Sequence, residues 1–289
     1  MPRLSGVIRR SEKTSEKPFP CASRGTNSLA VSHNLFHWKG ANVLDEYHVD
    51  GGIVAHLLSC QRASKMKGGL YHLNQIEMAY NSNRIEGSRL SREQTRYIFE
   101  TRTIDGIASV DDVIEATNHF RMFDYMLDNL EAPLNTEKMK TYHHILKRGT
   151  NDADQDWFAL GDWKRLENVV GAGIKTAAPS KVEETINHLL ALYPQNKAMS
   201  FEEIVDFHFR YETIHPFQDG NGRTGRIIMF EQCLKNEILP FIVLDSDKHF
   251  YYRGLAEYPR EKGYLLDTCR SFQDSYYDSY KNMIWPADE

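Results

Sequence analysis

Twelve consecutive residues carry most of the chemistry that this sequence could perform: His215-Pro216-Phe217-Gln218-Asp219-Gly220-Asn221-Gly222-Arg223-Thr224-Gly225-Arg226. They follow a nearly all-apolar helical run (201–214) and precede another that begins Ile227-Ile228-Met229-Phe230, so they form a helix–loop–helix junction. Asp219-Gly220-Asn221-Gly222 has the composition of a tight turn. Its glycines permit positive φ and let backbone N–H groups converge on an anion, and the helix that begins there adds the positive end of its dipole. Arg223 and Arg226 are three residues apart and share one face of the first turn. Two guanidinium forks above an amide nest suit a di- or triphosphate. Asp219, a hard oxygen ligand beside such phosphates, suits Mg²⁺. His215, at the entrance to the loop, is the natural general base near neutral pH. Together these parts describe transfer from a nucleoside triphosphate to a hydroxyl.

The block resembles the signature of the Fic family, His-x-Phe-x-(Asp/Glu)-Gly-Asn-Gly-Arg-x-x-Arg, with every constrained position present. The resemblance covers most of residues 70–260. It implies a mainly α Fic fold, a helical bundle with a small β-hairpin flap, and a protein adenylyltransferase that moves AMP from ATP to a Ser, Thr or Tyr hydroxyl. On that resemblance His215 would take the proton of the hydroxyl and Phe217 would anchor the loop in the core. Asp219 would hold Mg²⁺ against the α- and β-phosphates. Gly220, Asn221 and Gly222 would cradle the phosphates, with Asn221 at the α-phosphate. Arg223 would grip the β-phosphate and Arg226 the γ-phosphate. Transfer of another nucleotide, or the phosphoryl transfer of the Doc branch, are the alternatives within the family; the Doc branch carries Lys where Gly220 stands, which favours AMP transfer here.

A second motif lies upstream, Ser82-Asn83-Arg84-Ile85-Glu86-Gly87. Ser82 and Glu86 are four apart and share a helix face. The motif resembles the inhibitory helix of class II Fic proteins, (Ser/Thr)-x-x-x-Glu-(Gly/Asn). That implies a salt bridge from Glu86 to Arg226 which denies Arg226 to the γ-phosphate, with Ser82 as an anchor and possible self-modification once the brake is off. In some relatives the corresponding Glu supports removal of AMP, so a de-AMPylating role of Glu86 is a further alternative. The resemblance also makes residues 168–178 a flap that pairs with the target protein as an added strand, and places Tyr251 and Tyr252 in the nucleoside pocket.

The elements that must position these residues read as helices. Leu70, Leu73, Ile76, Glu77 and Tyr80 fall at helical spacing, with Gly87 placed to end that helix. Ser91 and Gln94 form a capping box, and Ser109 is placed to cap a helix with Val113, Ile114, Thr117 and Phe120 on one stripe. Further helices are expected from Thr136 and from Ser180. The run 201–214 is apolar nearly all round and reads as the buried central helix. Residues 168–178, β-branched around Gly-x-Gly, read as a short hairpin. His143-His144 are adjacent, so they do not face one ligand. Asp152, Asp154 and Asp156 alternate like calcium ligands but lack the EF-hand glycine.

Composition bounds the rest. The chain has 289 residues, 41% hydrophobic and 26% charged, with a formal net charge of −5. That is an ordinary globular composition without the basic footprint of a nucleic-acid binder, and the chain after residue 260 is acidic on balance. Four separated cysteines give no metal or disulfide framework, and a cytoplasmic setting is expected. No uncharged apolar stretch reaches membrane-spanning length. Residues 1–52 read as a disordered tail or appended leader, closed by Asp50-Gly51-Gly52 as a linker. The Fic domain is expected over 53–289, with the inhibitory helix at about 70–87 and further helices at the C-terminal end. Expected partners are ATP and a target protein, with a homo-oligomer possible and neither nucleic acid nor membrane. A rival of another class is a non-catalytic module in which ATP controls docking; His215 argues against it, since a pure binder needs no base there.

Overall fold

A computed structural model describes residues 50–170 and 174–284. Most of the expected tail, residues 1–49, and the turn of the hairpin, 171–173, lie outside the described residues. Ten α-helices occur in the described chain: α1 (Gly51–Ala63), α2 (Leu70–Ile85), α3 (Arg92–Thr101), α4 (Val110–Asp128), α5 (Thr136–Lys147), α6 (Val182–Leu192), α7 (Phe201–Ile214), α8 (Asn221–Lys235), α9 (Lys248–Glu257) and α10 (Gly263–Ile284). Two short strands, β1 (Val169–Val170) and β2 (Ile174–Lys175), pair antiparallel with Val170 opposite Ile174. This is the mainly α bundle with one hairpin that the sequence predicts.

The start of the bundle differs from expectation. Asp50-Gly51-Gly52 is the cap and first turn of α1 rather than a linker, because the Asp50 carboxylate accepts the Ile53 N–H at 2.8 Å. Local capping thus overrides the low helix propensity of two glycines. The capping box at Ser91 and Gln94 forms with both of its bonds, and a second one caps α7 through Ser200 and Glu203. Ser109 stands at the N-cap of α4 without a side-chain bond. The buried face of α4 is Ala116, Phe120, Met122, Phe123 and Met126, so Val113, Ile114 and Thr117 sit at its margin. Ser180 lies in a 3₁₀ turn, and α6 begins two residues later.

The central helix is α8 rather than α7. Every residue from Asn221 to Leu234 is buried, whereas α7 exposes Glu202, Arg210 and Thr213. A helix enclosed all round must bury its polar side chains in pairs. Glu231 is held by Lys138 and by the Tyr142 hydroxyl at 2.7 Å, and Thr224 meets the Tyr211 hydroxyl at 2.7 Å. Around this axis α7, α5, α4, α2 and α1 supply one continuous apolar core that includes Met78, Phe123, Tyr142, Phe207 and Phe230. The N-terminus of α8, with its glycines and arginines, is therefore enclosed by this packing.

Candidate active site

The loop between α7 and α8 is fixed from both sides. His215 ends α7 in the left-handed conformation (φ 52°), with its N–H bonded to the Tyr211 carbonyl, a strained geometry for a non-glycine residue that the surroundings must hold. Phe217 is fully buried, as expected, and its ring stacks on His143 at 4.2 Å and 4°. His143 is thus a core residue; its Nδ1 accepts the Gly161 N–H at 3.0 Å. Asn221 closes the loop on itself, accepting the Phe217 N–H and donating to the Phe217 carbonyl, both at 2.8 Å. Asn221, expected at the α-phosphate, therefore spends its amide on the loop and is 1% exposed. Gly220 takes φ 79° as the N-cap of α8, which glycine adopts without steric cost.

His215 has the tautomer a base needs. Nδ1 lies 3.3 Å from the Glu212 carbonyl, which can only accept, so the ring proton sits on Nδ1 and Nε2 keeps a free lone pair. Burial lowers the pKa of His215; the Glu212 carbonyl opposes that, and the nearby Lys164 reinforces it. The imidazole is therefore neutral at physiological pH.

Asp219 does not stand alone. Its Oδ2 meets Lys147 at 2.5 Å and Arg223 at 3.1 Å. Burial disfavours its ionisation, but Arg223 and Lys147 outweigh burial and hold the carboxyl well below the usual range. Glu115, from the middle of α4, pairs with the same two cations, with Lys147 at 2.6 Å and with Arg223. Two cations and two carboxylates thus form a closed ring under the loop. The Asp219 side chain remains 45% exposed, whereas Lys147 and Arg223 are buried. A permanently ionised, half-open carboxylate beside a helix N-terminus fits Mg²⁺ bound through one protein carboxylate plus substrate phosphates. It does not make a site for metal alone: no group of three or more ligating side chains occurs among the described residues.

Arg226 faces another way. Its Nη2 meets Glu86 Oε1 at 2.7 Å and the Ser82 carbonyl at 2.9 Å, and its Nε donates to the Ser82 hydroxyl at 2.9 Å. The structure thus brings Ser82, Glu86 and Arg226 together across 140 residues of sequence. Gly222 is what lets them meet: a Cβ there would overlap the Glu86 carboxylate. Gly222 is required for this close approach rather than for its φ.

Tyr251 and Tyr252 part company. Tyr251 is 1% exposed, and its hydroxyl bonds His208 Nε2 at 2.7 Å, so it lies in the core rather than lining an open nucleoside pocket. Tyr252 is exposed and donates to the Ile85 carbonyl at 3.1 Å, pinning the end of α2. Between Tyr251 and Arg226 lies Glu212. Its Oε1 is buried with no hydrogen-bond partner. Burial raises its pKa to about 8, Arg226 resists and Glu86 adds to the rise.

Residues 133–233 match the Fic/DOC family. The family likeness is shown for that segment of the chain. Over 218 residues it is 29% identical to a protein adenylyltransferase Fic of Aedes aegypti, and over 223 residues 28% identical to that of Culex quinquefasciatus. Each match covers 74% of this chain but 42% of the relative, so the chain spans less than half the length of these curated relatives. Among solved structures, a Fic-domain signalling protein of Bacteroides thetaiotaomicron superposes with a TM-score of 0.63 at 20% identity, covering 80% of this chain and 95% of that one. A Fic family protein of Desulfovibrio desulfuricans gives 0.62 at 21% identity, covering 82% and 74%. At such identities these neighbours establish the fold.

Glu115, Lys147 and Glu212 stand beside these candidate residues, and the sequence pattern misses them. Glu115 and Lys147 sit 104 and 72 residues before Asp219 on other helices, and nothing in their spacing connects them. The one available signal was a charge set in a buried stretch: Lys147 follows Leu146 at the end of α5, and Glu115 lies beside Ala116. No helix among the described residues is long and apolar enough to cross a membrane.

Proposed function

We propose that this chain is a protein adenylyltransferase held in an inhibited state by Glu86. The names of the curated relatives support the reaction. The observation that carries the reading is the pairing of a neutral, correctly tautomerised His215 with a helix N-terminus bearing two arginines, of which Arg226 is occupied by Glu86, a carboxylate from outside the loop and its supporting ring. In the reaction, His215 Nε2 takes the proton of the target hydroxyl. The hydroxyl oxygen bonds to the α-phosphorus of ATP, the bond from that phosphorus to the bridging oxygen of the β-phosphate breaks, and pyrophosphate leaves. The N–H groups of the first turn of α8 and Arg223 would meet the charge that develops on the leaving group.

Asp219 is the residue that would hold Mg²⁺, which when bound supplies charge neutralisation on the phosphates. Arg226 would receive the γ-phosphate once Glu86 has left it. The β1–β2 hairpin would present its edge to a strand of the target, a mode that binds through backbone groups and so tolerates many sequences.

The test is intact-protein mass spectrometry after incubation with Mg-ATP, comparing wild type, Glu86→Gly, and Glu86→Gly with His215→Ala. A gain of one AMP confined to Glu86→Gly supports both reaction and brake. A gain of one phosphate assigns Doc-type phosphoryl transfer instead. If none of the proteins changes mass, and none modifies proteins of a cell extract supplied with labelled ATP, the transferase reading is wrong and a docking module regulated by ATP replaces it.

A further inference from the structure

Lys164 lies between α5 and the hairpin, and neither the reaction nor the sequence motif assigns it a role. It is 2% exposed, and among the described residues no carboxylate forms an ion pair with it. A buried ammonium without a counterion is costly and needs several acceptors. Lys164 finds them in two places. Its Nζ donates to Asn168 Oδ1 at 2.7 Å and to Thr176 Oγ1 at 2.6 Å. Asn168 immediately precedes β1 and Thr176 immediately follows β2, so one ammonium joins both feet of the hairpin. The same Nζ reaches the Ile214 carbonyl at 3.5 Å, and the Lys164 backbone N–H bonds the Pro216 carbonyl at 2.9 Å. These two carbonyls flank His215.

Other bonds run parallel. The Ala177 N–H donates to the Ile214 carbonyl at 3.2 Å and Asn168 Nδ2 to the Phe217 carbonyl at 3.0 Å. Lys164 is the junction where the hairpin side and the His215 side meet in one side chain.

We propose that Lys164 is a positioning residue that locks the hairpin and His215 into one frame, so that a strand docked on the hairpin presents its hydroxyl at a fixed distance from the base. This rests on the reading of His215 as the base and adds the element that couples target docking to it. The lysine has an electrostatic consequence as well. The groups acting on the His215 imidazole are the Glu212 carbonyl, Lys164, Glu86 and Asp219; the carbonyl and the two carboxylates favour the charged ring, and Lys164 disfavours it along with burial. Burial also brings Lys164 itself down to about 8, with Glu167 resisting. The cation therefore keeps the base neutral while it holds it in place.

The experiment uses the full chain carrying Glu86→Gly, alone and with Lys164→Met or Lys164→Arg. The first readout is the NMR titration of the His215 ring without nucleotide or metal. Lys164→Met should raise its pKa, and Lys164→Arg, which keeps the charge, should restore it. The second is hydrogen exchange at the Ala177 amide, expected about tenfold faster in Lys164→Met. The third is AMP transfer, expected to fall about tenfold with unchanged ATP affinity, a kcat effect that mere loss of stability would not give.

If neither the His215 titration nor the Ala177 exchange moves, the proposal is overturned whatever the transfer assay gives. If both move while Glu86→Gly transfers nothing, the coupling stands and the adenylyltransferase reading is what fails. Should Lys164→Met fail to fold, Asn168→Ala with Thr176→Val keeps the cation and removes two of its acceptors. That protein should exchange faster at Ala177 with the His215 pKa unchanged, and wild-type exchange there would overturn the proposal.

Discussion

Arg223 and Arg226 stand three residues apart on the same buried turn of α8, yet they are neutralised in opposite ways. Arg223 belongs to a closed ring with Glu115, Lys147 and Asp219, drawn from α4, α5 and the loop itself. Those partners come from helix sides or a fixed loop and share their charges, so removing any one leaves others to compensate. Arg226 has a single carboxylate partner, Glu86, which caps the C-terminus of α2 and keeps 29% of its side chain in solvent. One cation is part of the fold; the other is borrowed. The helix that lends Glu86 is itself well buried through Leu70, Ile76, Met78, Ala79 and Ile85. Parting Glu86 from Arg226 therefore needs a rotation of the Glu86 side chain and its cap, not the departure of α2, and the bonds of Arg226 to Ser82 can remain. On the proposed reading, that difference would let Glu86 act as a brake at the centre of the bundle.

The largest effect expected tests whether freeing Arg226 matters only through His215. Adding His215→Ala to Glu86→Gly should lower the rate of AMP transfer by about 10³-fold, within the usual range for loss of a general base. Thermal unfolding should stay within a few degrees, since Nδ1 loses only one bond. A double variant that still transfers AMP at the rate of Glu86→Gly would remove His215 from the mechanism. Next in size is Glu86→Gly itself. If the ion pair must break for triphosphate to bind productively, its cost of about 1.5–3 kcal/mol corresponds to roughly 10–150-fold in ATP affinity. Calorimetric titration of ATP into wild type and Glu86→Gly measures this, and equal affinities would mean that the borrowed carboxylate does not compete with phosphate.

Glu115→Gln sharpens the contrast from the other side. It removes a carboxylate from an arginine too, but it should not activate. The ring keeps two buried cations against Asp219 alone, at a cost on the order of 2–3 kcal/mol. For a domain of this size that lowers Tm by about 5–10 °C. Differential scanning calorimetry with a transfer assay separates the outcomes. Activation by Glu115→Gln comparable to Glu86→Gly would erase the distinction between the two arginines.

How much of this could be read from the sequence follows the same division. The loop residues were legible because the chemistry is local: His215, Asp219, Gly220, Arg223 and Arg226 lie within one turn and one loop, and the backbone requirement at Gly220 is written in its residue type. The Ser82–Glu86 contact with Arg226 was legible only by way of a resemblance, since a Ser and a Glu four apart ahead of a glycine specify no partner. Glu115 and Lys147 were not legible at all, because their meeting with Arg223 is made by helix packing and leaves no periodic trace. The bonding of Asn221 was illegible for a related reason. An asparagine in a phosphate loop is a plausible ligand by type, but type does not say that its amide is already committed to Phe217. The bond of the Tyr251 hydroxyl to His208 was illegible in the same way.

The smallest effect concerns Glu212, the second carboxyl near Arg226. Its native pKa is about 8, above an unfolded value near 4.5, with burial as the main cause and Glu86 contributing. The folded state then binds a proton that the unfolded chain has released. The sign follows: this group's contribution to stability is complete below about pH 4.5 and is lost progressively as pH rises to about 8. Between pH 5.5 and 8 the loss approaches about 3 kcal/mol as an upper bound. Urea unfolding at those two pH values should show a decline in wild type that Glu212→Gln flattens. Glu86→Gln should shrink the decline as well, because it removes the negative charge that keeps Glu212 protonated and leaves Arg226 to favour the carboxylate. A decline of equal size in wild type and Glu86→Gln would mean that Glu212 does not sense Glu86. Arg226 would then be borrowed by one carboxylate without any adjustment of the other.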